Sequence, residues 1–252
     1  MDKLGRALVA GAQVTDEDLD KLASIVDAYQ QVLDQVKVQL TDLGYAATTR
    51  VKTTGTLVDK LRRERPMRLS QVQDMAGARI VVGNRRTQDE AVETIRRTFE
   101  SLGNSCRRTD RREDPSHGYR AVHLIVQVGG ILVEIQVRTE LQDAWAQIVE
   151  RLADRWGRGI RYGEEPDLPD AMVWVGTGPA RSRREAMRLV IGLSDLIAAT
   201  EVANEHFGAV TRTLTGDELV GQGASLAEHA REREDLLRDI LQLIATATDG
   251  AG

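Results

Sequence analysis

Apolar residues recur at every third or fourth position over residues 16–43, a spacing that predicts a long amphipathic helix. Thr15 is suited to cap the start of this helix, and Gly44 stands where a helix commonly ends. The same spacing predicts two more long helices further along the chain, at 181–207 and 225–246. Shorter helices are expected at 56–65, at 140–155 and at 87–102, the last beginning with a capping box at Thr87.

Strands are predicted between these helices. Residues 119–128 and 131–138 are rich in β-branched residues and are separated by two glycines, a pattern typical of a β-hairpin. A short apolar run at 78–82 predicts another strand. The stretch 156–180 is rich in glycine and proline and is interpreted as a loop or linker. Helices on both sides of a group of strands indicate an α+β or α/β fold.

Positive charge is concentrated in residues 50–112. This segment holds 16 Lys and Arg residues against 8 Asp and Glu residues, whereas the whole chain has a formal net charge of −5. Such asymmetry indicates either a site for an anionic ligand or a solvated, arginine-rich helical face.

The single cysteine, Cys106, excludes an internal disulfide and favours a reducing compartment. It is interpreted as a small packing residue rather than a nucleophile. No apolar run reaches 18 residues, so no transmembrane helix and no membrane partner are expected. A cytoplasmic location is the resulting expectation.

The strand predicted at 131–138 places chemically active side chains on one face. Glu134, Gln136 and Arg138 alternate with Val133, Ile135 and Val137, so the two sets point to opposite faces. A row of carboxylate, amide and guanidinium groups is either a solvated face or a binding site. Asp74 is either a turn residue before the strand at 78–82 or, with Glu134, a carboxylate pair for Mg²⁺.

Other candidate residues lie before and between the predicted strands. Tyr119, Arg120 and His123 follow a glycine and could contact a base, a ribose or a phosphate, or could simply complete the edge of the core. Lys52 precedes a turn and a helix start, a place suited to phosphate. The segment is not a Walker A loop, because no Gly-Lys-Ser/Thr run is present.

Together these segments resemble the synthetase domain of the RelA/SpoT family, in particular its small, synthetase-only alarmone synthetases. The order and spacing of the motifs match over roughly residues 45–160. The motifs are Arg50-x-Lys52, Lys60-x-Arg62-Arg63, Asp74-x-x-Gly77-x-Arg79-Ile80, Gly118-Tyr119-Arg120-x-x-His123 and Val133-Glu134-Ile135-Gln136-Val137-Arg138-Thr139.

The resemblance implies a nucleotidyltransferase-like α+β fold, with a mixed sheet of about five strands and helical extensions at both ends. It also divides the chain into four parts: an N-terminal helical segment at 1–45, a synthetase domain at 46–160, a loop or linker at 161–180 and a C-terminal helical segment at 181–252. The C-terminal helices either pack on the core or form a contact in a homo-oligomer.

The resemblance further implies a Mg²⁺-dependent diphosphokinase that moves the β,γ-diphosphate of ATP to the 3′-hydroxyl of GDP or GTP, making (p)ppGpp and releasing AMP. It assigns Asp74 and Glu134 to catalysis and to the metal. It assigns ATP binding to Arg50, Lys52, Lys60 and Arg79, and acceptor binding to Tyr119, Arg120, His123, Gln136 and Arg138.

Departures from the family pattern surround the acceptor residues and leave the acceptor open. Asp110-Arg111-Arg112 stands where Asp-Tyr-Ile is usual, and Asp143 stands where Asn is frequent. Two alternatives therefore accompany the guanine nucleotide. The first is a toxin-type transfer of pyrophosphate to the 3′ end of tRNA. The second is a non-catalytic nucleotide-binding module, which the presence of both Asp74 and Glu134 argues against.

Overall fold

The computed structural model describes residues 15–52, 75–174, 178–213 and 224–250. The predicted helix at 56–65 lies outside them, as do the candidate residues Lys60 and Asp74. The elements in chain order are α1 (Asp16–Asp42), β1 (Ala47–Val51), β2 (Ala76–Val82), α2 (Arg85–Ser101), β3 (Ser105–Asp110), β4 (Val122–Val128), β5 (Ile131–Thr139), α3 (Glu140–Trp156), a 3-10 helix (Arg158–Tyr162), β6 (Met172–Val173), β7 (Arg181–Ser182), α4 (Arg183–Thr213) and α5 (Ala224–Gly250).

The chain divides into two compact units. Of the described residues, the first unit comprises those up to Val81 together with Glu90–Thr109 and Val122–Val137, and the second comprises Val82–Asp89, Asp110–Ala121 and those from Arg138 onwards. Strand β5 begins in the first unit and ends in the second. The four segments predicted from the sequence are consecutive along the chain, whereas these two units are not. The predicted division into four segments stays a prediction.

The first unit is built on a mixed five-stranded sheet, as the sequence predicted. The strand order is β1-β2-β5-β4-β3, with β1 antiparallel to β2 and β4 antiparallel to β5. Gly129 and Gly130 join the β4–β5 hairpin with φ of 57° and 83°. Two successive positive φ angles are what a two-residue hairpin turn requires, and glycine adopts them without strain.

Helix α1 confirms the prediction for residues 16–43 almost residue for residue. The Thr15 hydroxyl accepts from the Asp18 amide, and the Asp18 side chain accepts from the Thr15 amide, which completes a capping box. The helix packs against β1. Its buried stripe follows the predicted spacing and consists of Leu22, Tyr29, Leu33, Val36 and Leu40.

The start of α2 differs from the prediction. The helix begins at Arg85 and not at Thr87, because the Asn84 side chain accepts from the Thr87 amide at 2.9 Å and so caps the helix one turn earlier. Leu102 follows the end of this helix and is 56% exposed. The inward residues are Ala91, Val92, Ile95 and Phe99.

The second unit is a helical layer with its own apolar core. Helices α3, α4 and α5 pack against one another, and the 3-10 helix packs on α3. The C-terminal helices thus pack on α3 within this unit, and their role in the whole protein stays a prediction. The core includes Leu141, Trp145, Ile148, Leu152, Trp156, Met187, Val190, Leu193, Ile197, Leu237 and Leu241. Among the described residues, no helix is both long enough and apolar enough to cross a membrane.

Candidate functional site

Glu134 is the central side chain of the polar face in the first unit. It lies on β5 between the buried residues Val133 and Ile135. Its carboxylate lies 2.9 Å from Nδ1 of His123 and accepts a hydrogen bond of 3.0 Å from Nε2 of Gln136. His123 pairs with Gln136 across the β4–β5 ladder, so all three side chains leave the sheet on the same face. The carboxylate is thus held in one orientation on a rigid strand.

The predicted ATP-binding residues of this unit lie on β1, on β2 and just after β1. Arg50 is opposite Gly77 in the β1–β2 ladder, and Arg79 is opposite Thr48, so both arginines leave the same face of this strand pair. Arg50 is exposed and Arg79 is half-buried. The Lys52 amide donates to the Met75 carbonyl at 2.8 Å, which continues the pairing beyond β1.

The second unit holds the aromatic group of the predicted acceptor side. Arg138, with a side chain only 4% exposed, donates to the Tyr119 hydroxyl at 3.2 Å and lies 5.1 Å from the centre of the Tyr119 ring. Its other terminal nitrogen contacts Asp143 at 2.9 Å. Burial alone would lower the pKa of Arg138, but Tyr119 and Asp143 raise it above its ordinary value, so the guanidinium stays charged.

A tight turn delivers Tyr119 to this position. His117 and Gly118 both have positive φ, 52° and 85°, and the Tyr119 amide donates to the Ser116 carbonyl at 2.9 Å. A Cβ at Gly118 would lie 2.8 Å from the indole ring of Trp145, so only glycine fits here. Tyr119 was expected at the start of a strand; instead, β4 begins at Val122 and Tyr119 immediately follows the turn.

Arg120 is committed to contacts within the second unit. Its guanidinium donates to Ser194 at 3.2 Å, to Asp195 at 2.6 Å and to the carbonyl of Arg112. Its predicted role in acceptor binding stays a prediction, and what the structure shows is a side chain that ties the turn to helix α4.

Arg112 is the central residue of a polar cluster and is itself buried. It stands where the resemblance noted in the sequence predicts an apolar residue. Its guanidinium contacts Asp110 at 2.7 Å and Asp89 at 2.8 Å, and donates to Gln88 at 3.3 Å. Gln88 in turn donates to Gln142 at 2.9 Å. Burial would lower the pKa of Arg112, but the two carboxylates raise it well above its ordinary value. This residue therefore braces the segment that leads to Tyr119.

Sequence reasoning missed the partners that come from distant parts of the chain. Ser194 and Asp195 are more than 70 residues from Arg120, and Gln142 and Glu201 are almost 60 residues apart. Asp143 was noticed only as a departure from the family pattern. The signal that could have found it is its position five residues after Arg138, at the start of a helix, where a carboxylate can reach back to a strand end.

Mg²⁺ prefers oxygen ligands and takes few of them from the protein. Asp74 lies outside the described residues, and the described ones contain no group of three or more His, Cys, Asp or Glu side chains placed to hold a metal. Glu134 supplies hard carboxylate oxygens on the polar face of the sheet, where it contacts His123 and Gln136. Because Mg²⁺ often takes only one or two protein carboxylates and completes its shell with water and phosphate, Glu134 fits as one ligand.

Cys106 is half-buried on β3, where burial raises its pKa to about 11. A thiol with so high a pKa is a poor nucleophile at neutral pH.

The sheet of the first unit carries a fixed carboxylate and basic residues, and a turn in the second unit presents an aromatic side chain. The family described as "Region found in RelA / SpoT proteins" matches residues 49–153. This match supports a RelA/SpoT-type synthetase domain over these residues.

Comparison with curated proteins finds a relative in Mycobacterium tuberculosis (strain H37Rv), the uncharacterized protein Rv1366. It is 41% identical over 121 residues, which are 48% of this chain and 44% of the relative. The chain therefore spans less than half the length of the curated relatives it matches.

Comparison with solved structures finds the same fold. Small alarmone synthetase 1 from Bacillus subtilis aligns with a TM-score of 0.57 and 19% identity, covering 77% of this chain and all of that one. The structure of the same synthetase bound to its product pppGpp aligns with a TM-score of 0.52 and 21% identity, covering 75% of this chain and 97% of that one.

Proposed function

We propose that this protein transfers the β,γ-diphosphate of ATP to the 3′-hydroxyl of GDP or GTP, making (p)ppGpp and releasing AMP. The observation that carries the proposal is the Glu134 carboxylate, held by His123 and Gln136 on the polar face of a RelA/SpoT-type sheet. The product-bound relative, small alarmone synthetase 1, supports the choice of nucleotide.

Glu134 acts as the general base in this proposal. The ribose 3′-hydroxyl attacks the β-phosphorus of ATP, its proton passes to the carboxylate, and the bond from the β-phosphorus to the oxygen shared with the α-phosphate breaks to release AMP. A positioned carboxylate typically contributes about 100- to 10,000-fold to such a proton transfer. The hydrogen bonds from His123 and Gln136 fix its orientation, so little reorganisation accompanies the attack.

The basic residues bind and neutralise the phosphates. Arg50, Lys52 and Arg79 belong to the donor side of the proposal, together with Lys60. Charge on the transferred group is spread over its oxygens, and fixed cations stabilise it as it moves. Mg²⁺, with Asp74 and Glu134 as its proposed ligands, would neutralise phosphate charge when bound.

The acceptor base is assigned to Tyr119. Arg138 lies over the Tyr119 ring, which also packs against the apolar core of the second unit, and a purine would stack on the part of the ring that stays exposed. The bond from Arg138 to the phenol oxygen fixes the ring plane, which lowers the entropic cost of binding a base. On the acceptor side, Gln136, Arg138 and His123 add hydrogen-bonding groups, and Arg120 is assigned there by resemblance.

The test is incubation of the full chain with γ-³²P-labelled ATP and Mg²⁺, offering GDP, GTP, ATP or bulk tRNA in separate reactions. The proposal predicts label on GDP or GTP and at least a roughly 100-fold loss in Glu134→Gln, because the amide cannot take the proton. Glu113→Gln, the same change at an exposed loop position, is the matched control and should keep wild-type activity. Label on tRNA alone would replace the proposed acceptor, and no transfer to any acceptor would refute the proposal.

A further inference from the structure

Helix α4 lies outside the segment that matches the RelA/SpoT family, yet it reaches the turn that presents Tyr119. The family match ends at residue 153, and α4 spans Arg183–Thr213. Ser194, 3% exposed, bonds to Gly118 and Arg120 on either side of Tyr119 in the sequence, and its neighbour Asp195 bonds to Arg120.

Ser194 holds the turn through two bonds made by a single hydroxyl. The hydroxyl donates to the carbonyl of Gly118, the residue directly before Tyr119. The same oxygen accepts from Nε of Arg120, the residue directly after Tyr119, at 3.2 Å. Both peptide neighbours of Tyr119 are therefore tied to one side chain of α4.

Two further contacts hold Arg120 and Gly118, the residues next to Tyr119 in the sequence. Asp195 pairs with Arg120 at 2.6 Å, and the Arg120 side chain is only 10% exposed. Trp145 of α3 also lies against Gly118, and its indole nitrogen donates to the Val190 carbonyl of α4 at 2.6 Å. Gly118 is thus enclosed between α3 and α4.

We propose that Ser194, assisted by Asp195, is a positioning residue for Tyr119, so that α4 sets the geometry with which the acceptor base is bound. This inference rests on the proposed function for its kinetic consequence, since it takes Tyr119 as the acceptor-stacking residue. Its structural content, that α4 fixes the backbone on either side of Tyr119, stands on the contacts alone. Misplacement of the ring weakens binding of the acceptor and leaves ATP binding on the first-unit residues unchanged.

The experiment compares Ser194→Ala with wild type in the full chain. The matched control is Thr200→Val, which removes another buried hydroxyl from the same helix, six residues beyond Ser194. Amide hydrogen exchange of peptides covering residues 116–120 is measured first, because the Tyr119 amide bond to Ser116 reports the integrity of the turn. Steady-state kinetics with GDP and ATP follow.

The expected result is faster exchange at residues 116–120 in Ser194→Ala, with exchange in α3 and α5 unchanged. The KM for GDP should rise about 5- to 30-fold, the effect of losing one or two hydrogen bonds, while the KM for ATP stays within about twofold. Thr200→Val should show neither effect. Asp195→Glu, whose exposed carboxylate can still reach Arg120, should remain near wild type, whereas Asp195→Ala should move towards Ser194→Ala.

Unchanged exchange at 116–120 in Ser194→Ala would overturn the inference. So would equal increases in the KM values for GDP and ATP, which would mean that the hydroxyl supports the fold in general and not Tyr119 in particular. If the wild-type protein transfers no label to any acceptor, the proposed function fails, and the exchange measurement still decides whether α4 positions the turn.

Discussion

Removal of Asp143 leaves the buried charge of Arg138 without its carboxylate partner. The side chains of Arg138 and Asp143 are 4% and 9% exposed and lie 2.9 Å apart. In the Asp143→Ala variant, Arg138 keeps its hydrogen bond to the Tyr119 hydroxyl, a neutral group that cannot balance the charge. A charge in this position can neither reach water nor give up its proton at neutral pH.

The magnitude follows from the burial of the pair. Breaking a buried ion pair by removing one partner typically costs about 3–5 kcal/mol, because the remaining charge is desolvated without compensation. For a chain of this size, each kcal/mol lowers Tm by about 2–4 °C, so a fall of roughly 6–20 °C is expected. Asp143→Asn keeps an acceptor oxygen for Arg138 and should lose about 1–3 kcal/mol, the usual range for a weakened bond to a charged group.

The assay is urea unfolding followed by tryptophan fluorescence and by circular dichroism. The matched control is Asp154→Ala, which removes a carboxylate from an ion pair with Arg161 in which Asp154 is 64% exposed. Exposed pairs contribute about 0–1 kcal/mol, so this variant should unfold close to wild type. An Asp143→Ala variant that unfolds within about 1 kcal/mol of wild type would refute the reasoning, since the charge of Arg138 must then be satisfied in another way.

Two further predictions concern the second unit. Burial raises the pKa of Glu201 above its ordinary value of 4.5, so the folded protein holds this proton more tightly than the unfolded chain. The stability that this proton contributes is complete below pH 4.5 and is lost as pH rises through the folded pKa of Glu201. In Glu201→Gln, the urea midpoint should therefore depend less on pH over this range. Parallel profiles of urea midpoint against pH for the variant and wild type would contradict the assignment. Gly118 has φ of 85°, and the Cβ added in Gly118→Ala lies 2.8 Å from the ring of Trp145. This variant should lose about 1–3 kcal/mol of unfolding free energy in urea. An unfolding midpoint equal to that of wild type would show that the turn relaxes freely.

Periodicity predicted the elements whose burial is one-sided. Helix α1 buries one stripe, and the β4–β5 hairpin buries one face almost fully and the other only in part, so their apolar residues recur at the period of the element. The same alternation along β5 correctly placed Glu134 and Gln136 on the face opposite Val133 and Ile135.

The two edge strands could not be predicted in this way. β1 (Ala47–Val51) and β3 (Ser105–Asp110) lie at opposite ends of the strand order, and their sequences are mostly polar. Edge strands pair on one side only and commonly carry polar or charged residues, which weakens the alternation. Their pairing is decided by neighbours that are distant in sequence, and no local pattern records it.

The same contrast between local pattern and contacts distant in sequence applies to the candidate site residues. Local pattern and resemblance together selected Glu134, His123 and Gln136, which the structure brings into contact. The contacts that fix the turn before Tyr119 come from Ser194, 76 residues after Gly118. A tertiary contact between residues so far apart in the sequence depends on how the helices pack. A single sequence therefore does not predict it.

The most direct test of the proposed reaction is to identify the nucleotide that is released from ATP when its diphosphate is transferred. With α-³²P-labelled ATP and GDP, transfer of the β,γ-diphosphate must release labelled AMP in a 1:1 ratio to the new product, and only when GDP is present. We predict acceptor-dependent AMP in the wild-type protein and its loss in Glu134→Gln. Labelled ADP in place of AMP, or AMP formed at the same rate without an acceptor, would contradict diphosphate transfer.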